Sequence, residues 1–472
     1  MFAPFVALLL FAPAGSSPAR DPVHPATRAY VGPREVALPP GADPGVAVDP
    51  TPSSAPDPGA STTPSTPPTA DAHHEGERPS APAMTRSADE TLVRRVTRPG
   101  DSDVRRTWVV GGFVDASYVI NSNSPDNHIN RGMGTAPRSG EFGVPLAVAY
   151  IRHDADRREP WFLELALQVG PAATSLLAAD PQPGGDASRL AGVNVWQHLG
   201  RANAGIRIPR ARTEIGGGVF GTPISYWSFW AKDNWTYSTP WHLNAVPYVL
   251  MGLRVLQPIG RKWLLQAWVH NGWATYADIN KAPSYLGGAI VEPVAGLHLG
   301  QFFHFGPEDT DIRARAWRML SDTWMAFERG RFGLVAIADV MRERVTAQPG
   351  EPVAMYLAGA ISPRVRVLER RGGRIAWWLA ARGEAFWDRH GRIYGVDQLM
   401  GSAVASSDLR LFEFVQLRVE YRFDASTAPQ GFFYRGAAVH DSDGGLAQQQ
   451  HAVYIALIGT FEHWFGRRAR SK

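Results

Sequence analysis

Charged and polar residues recur at every second position in two stretches of the chain: Arg382 with Glu384, and Gln416 with Arg418, Glu420 and Arg422. Asp115 and Ser117 repeat the spacing nearer the start. Successive side chains of a β-strand point to opposite faces, so this spacing gathers each set on one face. Mixed charges along a water-filled passage orient dipolar solutes and bias ion flow; that chemistry is electrostatic, not covalent. Signatures of covalent or phosphate chemistry are missing, with no Gly-x-Ser-x-Gly, no Gly-x-x-x-x-Gly-Lys and no His-Glu-x-x-His. Gly216-x-Gly218-x-x-Gly221 has dinucleotide spacing, but Thr222-Pro223 follows where a helix would have to open. Asp441-Ser-Asp443 begins like a calcium loop and has Ala452 in place of the twelfth-position Glu. His73-His74-Glu75 lacks the second histidine of a zinc helix. No enzyme activity, metal or cofactor is expected.

The elements that position these residues are long alternating strands. Val415, Leu417, Val419, Tyr421 and Phe423 oppose the charged face in a run from Leu411 to Phe423. Ile375, Trp377, Leu379, Ala381 and Trp387 do the same opposite Arg382, Glu384 and Asp388, while Val110, Gly112, Val114, Ala116 and Tyr118 alternate with Asp115 and Ser117. Lys262, Gln266 and His270 share a side opposite Trp263, Leu265, Ala267 and Val269. Val453, Ile455, Leu457, Gly459 and Phe461 form one more apolar face near the C-terminus.

Such runs exceed the usual length of about 5–6 residues for strands of soluble proteins and suit a tilted transmembrane strand, which needs about 9–11. Several unpaired charges per strand forbid a buried charged face, so that face meets water. Periodicity alone leaves two arrangements open, a soluble sheet with an apolar core and a membrane barrel with an apolar exterior. Length favours the barrel, as do aromatics at strand ends: Trp108, Tyr118, Trp263, Trp273, Trp377, Trp387, Tyr421 and Trp464. Short polar turns at 258–262, 329–331 and 370–373 alternate with long loops at 121–140, 171–189 and 425–450, the asymmetry of outer-membrane barrels. The expectation is a closed antiparallel transmembrane β-barrel of about 14–16 strands, sixteen being preferred.

Composition divides the chain. Of its 38 prolines, 19 fall in residues 1–100, whereas all 16 tryptophans follow Thr107. Residues 1–20 read as a signal peptide, 21–106 as a disordered Pro/Ala-rich linker, 107–466 as the barrel and 467–472 as a basic tail. The chain has no cysteine, which excludes disulfides and a lipidated cysteine anchor. With 48 Lys+Arg against 44 Asp+Glu there is no basic stripe, and nucleic acid is not an expected partner.

Three stretches carry a resemblance. Residues 112–125, GFVDASYVINSNSP, resemble the opening strand of the OmpL-like beta-barrel porin family, Gly221 to Ser238 resembles its Asn-Trp-x-Tyr-Ser segment, and Trp268 to Trp273 its Trp-x-x-Asn-Gly-Trp strand end. The likeness runs in order over roughly residues 107–465. Ser225 and Trp227 stand where the family usually has Gly and Glu.

The resemblance implies an outer-membrane porin of a Gram-negative-type bacterium that passes small hydrophilic solutes or ions by diffusion. Asp115, Ser117, Arg382, Glu384, Gln416, Arg418, Glu420 and Arg422 are the expected pore-lining residues. Residues 225–238, SYWSFWAKDNWTYS, are the candidate constriction loop, with Trp227, Trp230, Lys232, Asp233, Asn234 and Trp235; an extracellular loop bearing an aromatic belt is the other reading. Expected partners are outer-membrane lipid, the barrel assembly machinery, which would read Phe461 or Phe465, and by analogy further copies of the chain. The competing functions are a barrel enzyme acting at the rim and a plugged structural or adhesive barrel.

Overall fold

The structure is a computed structural model. It describes residues 108–155, 159–175, 197–278, 280–308, 316–345, 350–370, 373–412, 414–436 and 445–465. The readings of residues 1–106, of Asp441-Ser-Asp443 and of the tail at 467–472 lie outside the described residues.

The first strands are β1 (Trp108–Asn121), β2 (Phe142–His153), β3 (Trp161–Val169), β4 (Leu199–Ile208), β5 (Thr213–Gly221) and β6 (Val249–Ile259). Next come β7 (Trp263–His270), β8 (Ser284–Val291), β9 (Leu297–Pro307), β10 (Trp317–Arg329), β11 (Phe332–Arg344) and β12 (Val353–Arg370). The chain continues through β13 (Ile375–Arg389), β14 (Gln398–Leu411), β15 (Val415–Ser426), two short strands β16 (Phe433–Tyr434) and β17 (Leu446–Ala447), and β18 (Gln449–Phe465). Strands β16 and β17 pair only with each other, in the loop before β18.

The other sixteen strands form one closed antiparallel barrel in which each neighbours its predecessor and β18 returns to β1. Closure is in register along the whole seam, with Trp108 opposite Phe465, Asp115 opposite Ile458 and Asn121 opposite Ala452. Hydrocarbon supplies no hydrogen-bond partners, so a spanning sheet must close on itself, and this seam removes both free edges.

Alternation decides which way each residue points. Val114, Val419, Tyr421, Ile455 and Leu457 are each 40% or more exposed on the outer face, while Asp115, Arg382, Arg418, Glu420 and Arg422 point inward and are buried. The run from Leu411 to Phe423 is not one strand: Phe412 turns with φ 56° and separates β14 from β15. The formal dinucleotide glycines lie in β5, where Gly216 accommodates the Phe162 ring; an added Cβ would sit 2.5 Å from Phe162 Cζ.

Short connections, such as 209–212, 260–262 and 330–331, lie at the end where the barrel starts and finishes, and the long ones, including 122–141, 222–248 and 427–448, lie at the other. In single-chain outer-membrane barrels the short turns are periplasmic. Trp263 and Trp387 lie on the outer face at strand ends, as an aromatic belt requires, whereas Tyr421 lies on the outer face midway along β15. Trp273 and Trp464 depart from that expectation. Trp273 sits in the loop after β7, under the Arg318 guanidinium at 4.5 Å, and Trp464 pairs in register with the inward Val109.

Leu457 lies midway along β18 on the outer face, opposite Ala116 and Leu417. Leu457→Arg is expected to cost about 2–4 kcal/mol, as a cation at the bilayer midplane does. Reversible denaturation in lipid vesicles measures it, and a cost near zero would mean that this face does not meet lipid.

Candidate functional site

The 27 residues from 222 to 248 connect β5 to β6 and fold into the lumen. Local sequence shapes the loop. Pro223, Pro240 and Pro247 interrupt regular pairing, and 3-10 turns form at Ala231–Asp233 and Trp241–Ala245. Asn234 closes a ring on Ser228, accepting its N–H at 2.8 Å and donating to its carbonyl at 2.6 Å. Ser225 takes φ 73°, and its Oγ lies 3.0 Å from His242 Nε2, tying the two arms of the loop together.

Aromatic burial drives the loop inward. Trp230 stacks on Tyr150 of β2 at 5.8 Å and tilts against Phe113 of β1 at 5.6 Å, while Tyr226 meets Trp324 of β10 at 5.7 Å. Trp235 lies under the Arg364 guanidinium of β12 at 4.0 Å. Removing such rings from water contributes on the order of 2 kcal/mol each.

Polar groups then fix the register of the loop on the wall. Arg418 donates to the carbonyls of Ala231 and Asn234, both at 2.6 Å, and Gln416 Nε2 to that of Lys232 at 3.3 Å. Arg382 donates to Ser238 O at 2.7 Å and to Thr236 Oγ1, and Arg422 to Thr239 O at 2.9 Å. Glu420 accepts the backbone N–H groups of Tyr237 and Ser238, and Glu384 accepts that of Trp241 at 2.7 Å. Tyr237 donates its hydroxyl proton to Asp115 at 3.0 Å.

The wall charges also pair among themselves, Arg422 with Asp424 at 2.7 Å and with Glu384 at 3.2 Å, and Arg418 with Asp408 at 3.4 Å. Buried charges are tolerated when paired and hydrogen-bonded, and here backbone carbonyls and N–H groups of the loop supply further partners, although Arg418 Nε and Asp408 Oδ1 have none among the described residues. Ser117 lies beside the same Tyr237 hydroxyl.

The eight residues named for the pore wall therefore all point inward, and they meet the loop. Arg382, Arg418, Glu420 and Arg422 are buried beneath it and not on open water, because the loop's own backbone takes the place of solvent around them. Trp227, Trp230, Lys232, Asp233, Asn234 and Trp235 are likewise buried within the lumen, with Lys232 Nζ 2.7 Å from Asp233 Oδ1.

Sequence reasoning missed the far side of the seat. Asp322 of β10 accepts the Ser225 N–H at 3.2 Å, Glu328 accepts the Tyr226 hydroxyl at 3.3 Å, and Ser402 accepts the Trp241 indole N–H at 2.7 Å. Their signal was present: Arg318, Leu320, Asp322 and Trp324 alternate like the strands that were read correctly. Also missed was support from above, where Asn244 binds Gly132 O at 2.9 Å and Tyr394 donates to Trp241 O at 2.9 Å.

A family model described as "Putative beta-barrel porin-2, OmpL-like" matches residues 108–461. No curated protein sequence matches the chain. Among solved structures, the chain is similar to an anion-selective porin from Comamonas acidovorans, with 10% identity, TM-score 0.48, and coverage of 76% of this chain and 100% of that one. It is also similar to the outer-membrane channel DcaP of Acinetobacter baumannii, with 9% identity, TM-score 0.46, and coverage of 76% and 97%.

Burial, and then the Arg382 charge, hold the His242 imidazole down at about 3, so it is neutral in the seated loop. An unseated His242 titrates near 6.5. The stabilisation this neutral form gives is present above that value and is lost as pH falls from about 6.5 toward 3. Loop seating is expected to weaken over that window, seen as single-channel conductance that rises on acidification. His242→Gln should flatten the rise; an unchanged pH profile in the variant would place the titration elsewhere.

Proposed function

The chain belongs to the OmpL-like porin family and is an outer-membrane passive channel, and on that premise we propose that residues 222–248 form its constriction. Small hydrophilic solutes and ions diffuse through the lumen, and the seated loop sets the width and the local field they meet. The observation that carries this reading is the seat itself: one loop crosses from β1 and β2 to β10 and β15 and is held at both sides by side chains of the wall. A sixteen-stranded barrel is wide enough to hold an aqueous channel, so a loop of this size narrows it.

The barrel carries out no covalent chemistry in this reading. Its Ser225–His242 contact is buried within the loop and serves to hold it folded. The outer face meets lipid, and β18, whose outward Phe461 and Phe465 are about half exposed, is the segment offered to the assembly machinery.

The test is single-channel conductance of the full-length protein in a planar bilayer, with the heat-modifiable gel shift reporting a closed barrel. Wild type is expected to give small, stable steps. Glu420→Ala removes two hydrogen bonds to a charged group, each worth about 1.5–3 kcal/mol, and should raise the step several-fold. A folded barrel that never conducts, in wild type or variant, would replace the constriction with a plug.

A further inference from the structure

On the outer face of the barrel, at the rim opposite the short turns, three arginines stand together. Arg342 and Arg344 end β11 and Arg389 ends β13, all pointing outward and exposed. Register puts Arg342 and Arg389 in one row across Met355 of β12, about 10 Å apart at two strand spacings, with Arg344 about 7 Å further up. Among the described residues, no other Arg, Lys, Asp or Glu occupies an outward position in the rim half of a barrel strand. Elsewhere at this level the outward side chains are mostly apolar or aromatic, such as Phe142, Tyr285 and Trp317, with Gln449 of β18 polar and uncharged and His451 titratable.

The row below the arginines is Val340, Leu357 and Trp387, and Arg389 lies 5.9 Å over the Trp387 ring. Trp387 marks the interface on this side of the membrane. The arginines therefore stand at the depth of the outer-leaflet head groups. Among the described residues Arg344 pairs with Glu351 at 3.9 Å, an exposed contact of little strength.

Beneath that row the sheet becomes flat. Ala338, Gly359, Ala385 and Gly401 are neighbours across four strands, and Gly383 pairs with Ala403 in the next row down. The barrel itself does not demand these small residues: a Cβ added at Gly383 would meet nothing within 4 Å, and at Gly359 and Gly401 it would make only ordinary contact. The result is a shallow apolar trough that opens outward, below a cluster of cations.

We propose that this face of β11–β14 binds a phosphorylated lipid of the outer leaflet, with Arg342, Arg344 and Arg389 on its phosphates and the trough taking its acyl chains. The charge is complementary, guanidinium groups grip phosphate oxygens in pairs, and the trough begins where the acyl region of the leaflet begins. The proposal rests on the outer-membrane setting and not on conductance, so it stands or falls separately from the constriction.

Full-length protein refolded in detergent, titrated with purified bisphosphorylated hexa-acylated lipid A and read by native mass spectrometry, tests it. Wild type should retain the lipid, and R342Q/R344Q/R389Q should bind roughly a hundredfold more weakly, at about fivefold per arginine. Lipid A stripped of both phosphates should behave with wild type as the intact lipid does with the triple variant. Gly383→Trp, which keeps every arginine, should also weaken retention. The periplasmic-side R329Q/R331Q should not, and the gel shift confirms that each variant is folded. Unchanged retention by the triple variant, equal binding of the stripped lipid, or inorganic phosphate alone binding as tightly as the lipid would each overturn the proposal. So would loss of an oligomer with lipid retention intact, which would make the patch a contact between copies.

Discussion

The hydrogen-bond demand of the backbone in hydrocarbon governs everything else here. No spanning strand can leave an N–H or C=O unpaired, so β18 must find β1, and it does so from Trp108–Phe465 to Asn121–Ala452 without a break. Once the sheet is closed, strand alternation leaves each residue only two destinations. Leu417, Val419 and Tyr421 go to lipid; Gln416, Arg418 and Glu420 go to the lumen. The charged face is then free to do something other than solvate a surface.

What it does is hold a loop. A guanidinium fully removed from water is costly, and Arg382, Arg418 and Arg422 are all removed from water. They are stabilised by carboxylates on neighbouring positions that pair with them and by loop carbonyls that accept further guanidinium protons. The dependence is mutual, since the loop crosses a lumen where its own backbone groups have no strand to pair with. Wall and loop satisfy one another, so unseating the loop exposes charges that water must then solvate. That mutual dependence also explains the aromatic content of the loop: Trp230, Trp235 and Tyr226 fill the space between the polar contacts and keep water from competing with them.

The fold was legible because its rule is local. Period-two alternation in 375–388 and 453–461 names both the strand and the side each residue faces, and the alternation of short turns with long loops names the hairpins. Where locality failed, the reading failed with it. The break after Leu411 was read through although the alternation lapses there, with Phe412 and Phe414 flanking Glu413 at an apolar position and Phe412 left-handed at φ 56°. Trp273 and Trp464 were placed in the belt because they flank apolar runs, but one follows a strand end into a loop and the other has inward parity. The wall charges were found by spacing. That they grip the loop was not, because Glu420 and Ser238 are brought together by closure and by the fold of the loop, across 182 positions of sequence. Asp322 and Ser402 were overlooked for the same reason, although the parity of both is plain.

The seating of residues 222–248 inside the lumen is tested most directly by a thiol bridge, since the chain has no cysteine of its own. Arg422 holds Ser238 of the loop at 3.2 Å and Ser402 of β14 at 3.0 Å, so these two hydroxyls share one guanidinium. Full-length protein carrying Ser238→Cys and Ser402→Cys, folded in lipid vesicles, is treated with dibromobimane, which fluoresces when it bridges two thiols. The seated loop predicts a bridge in the folded barrel and none in either single variant. A folded barrel whose two thiols label separately and never bridge would place the loop outside the lumen and contradict the account.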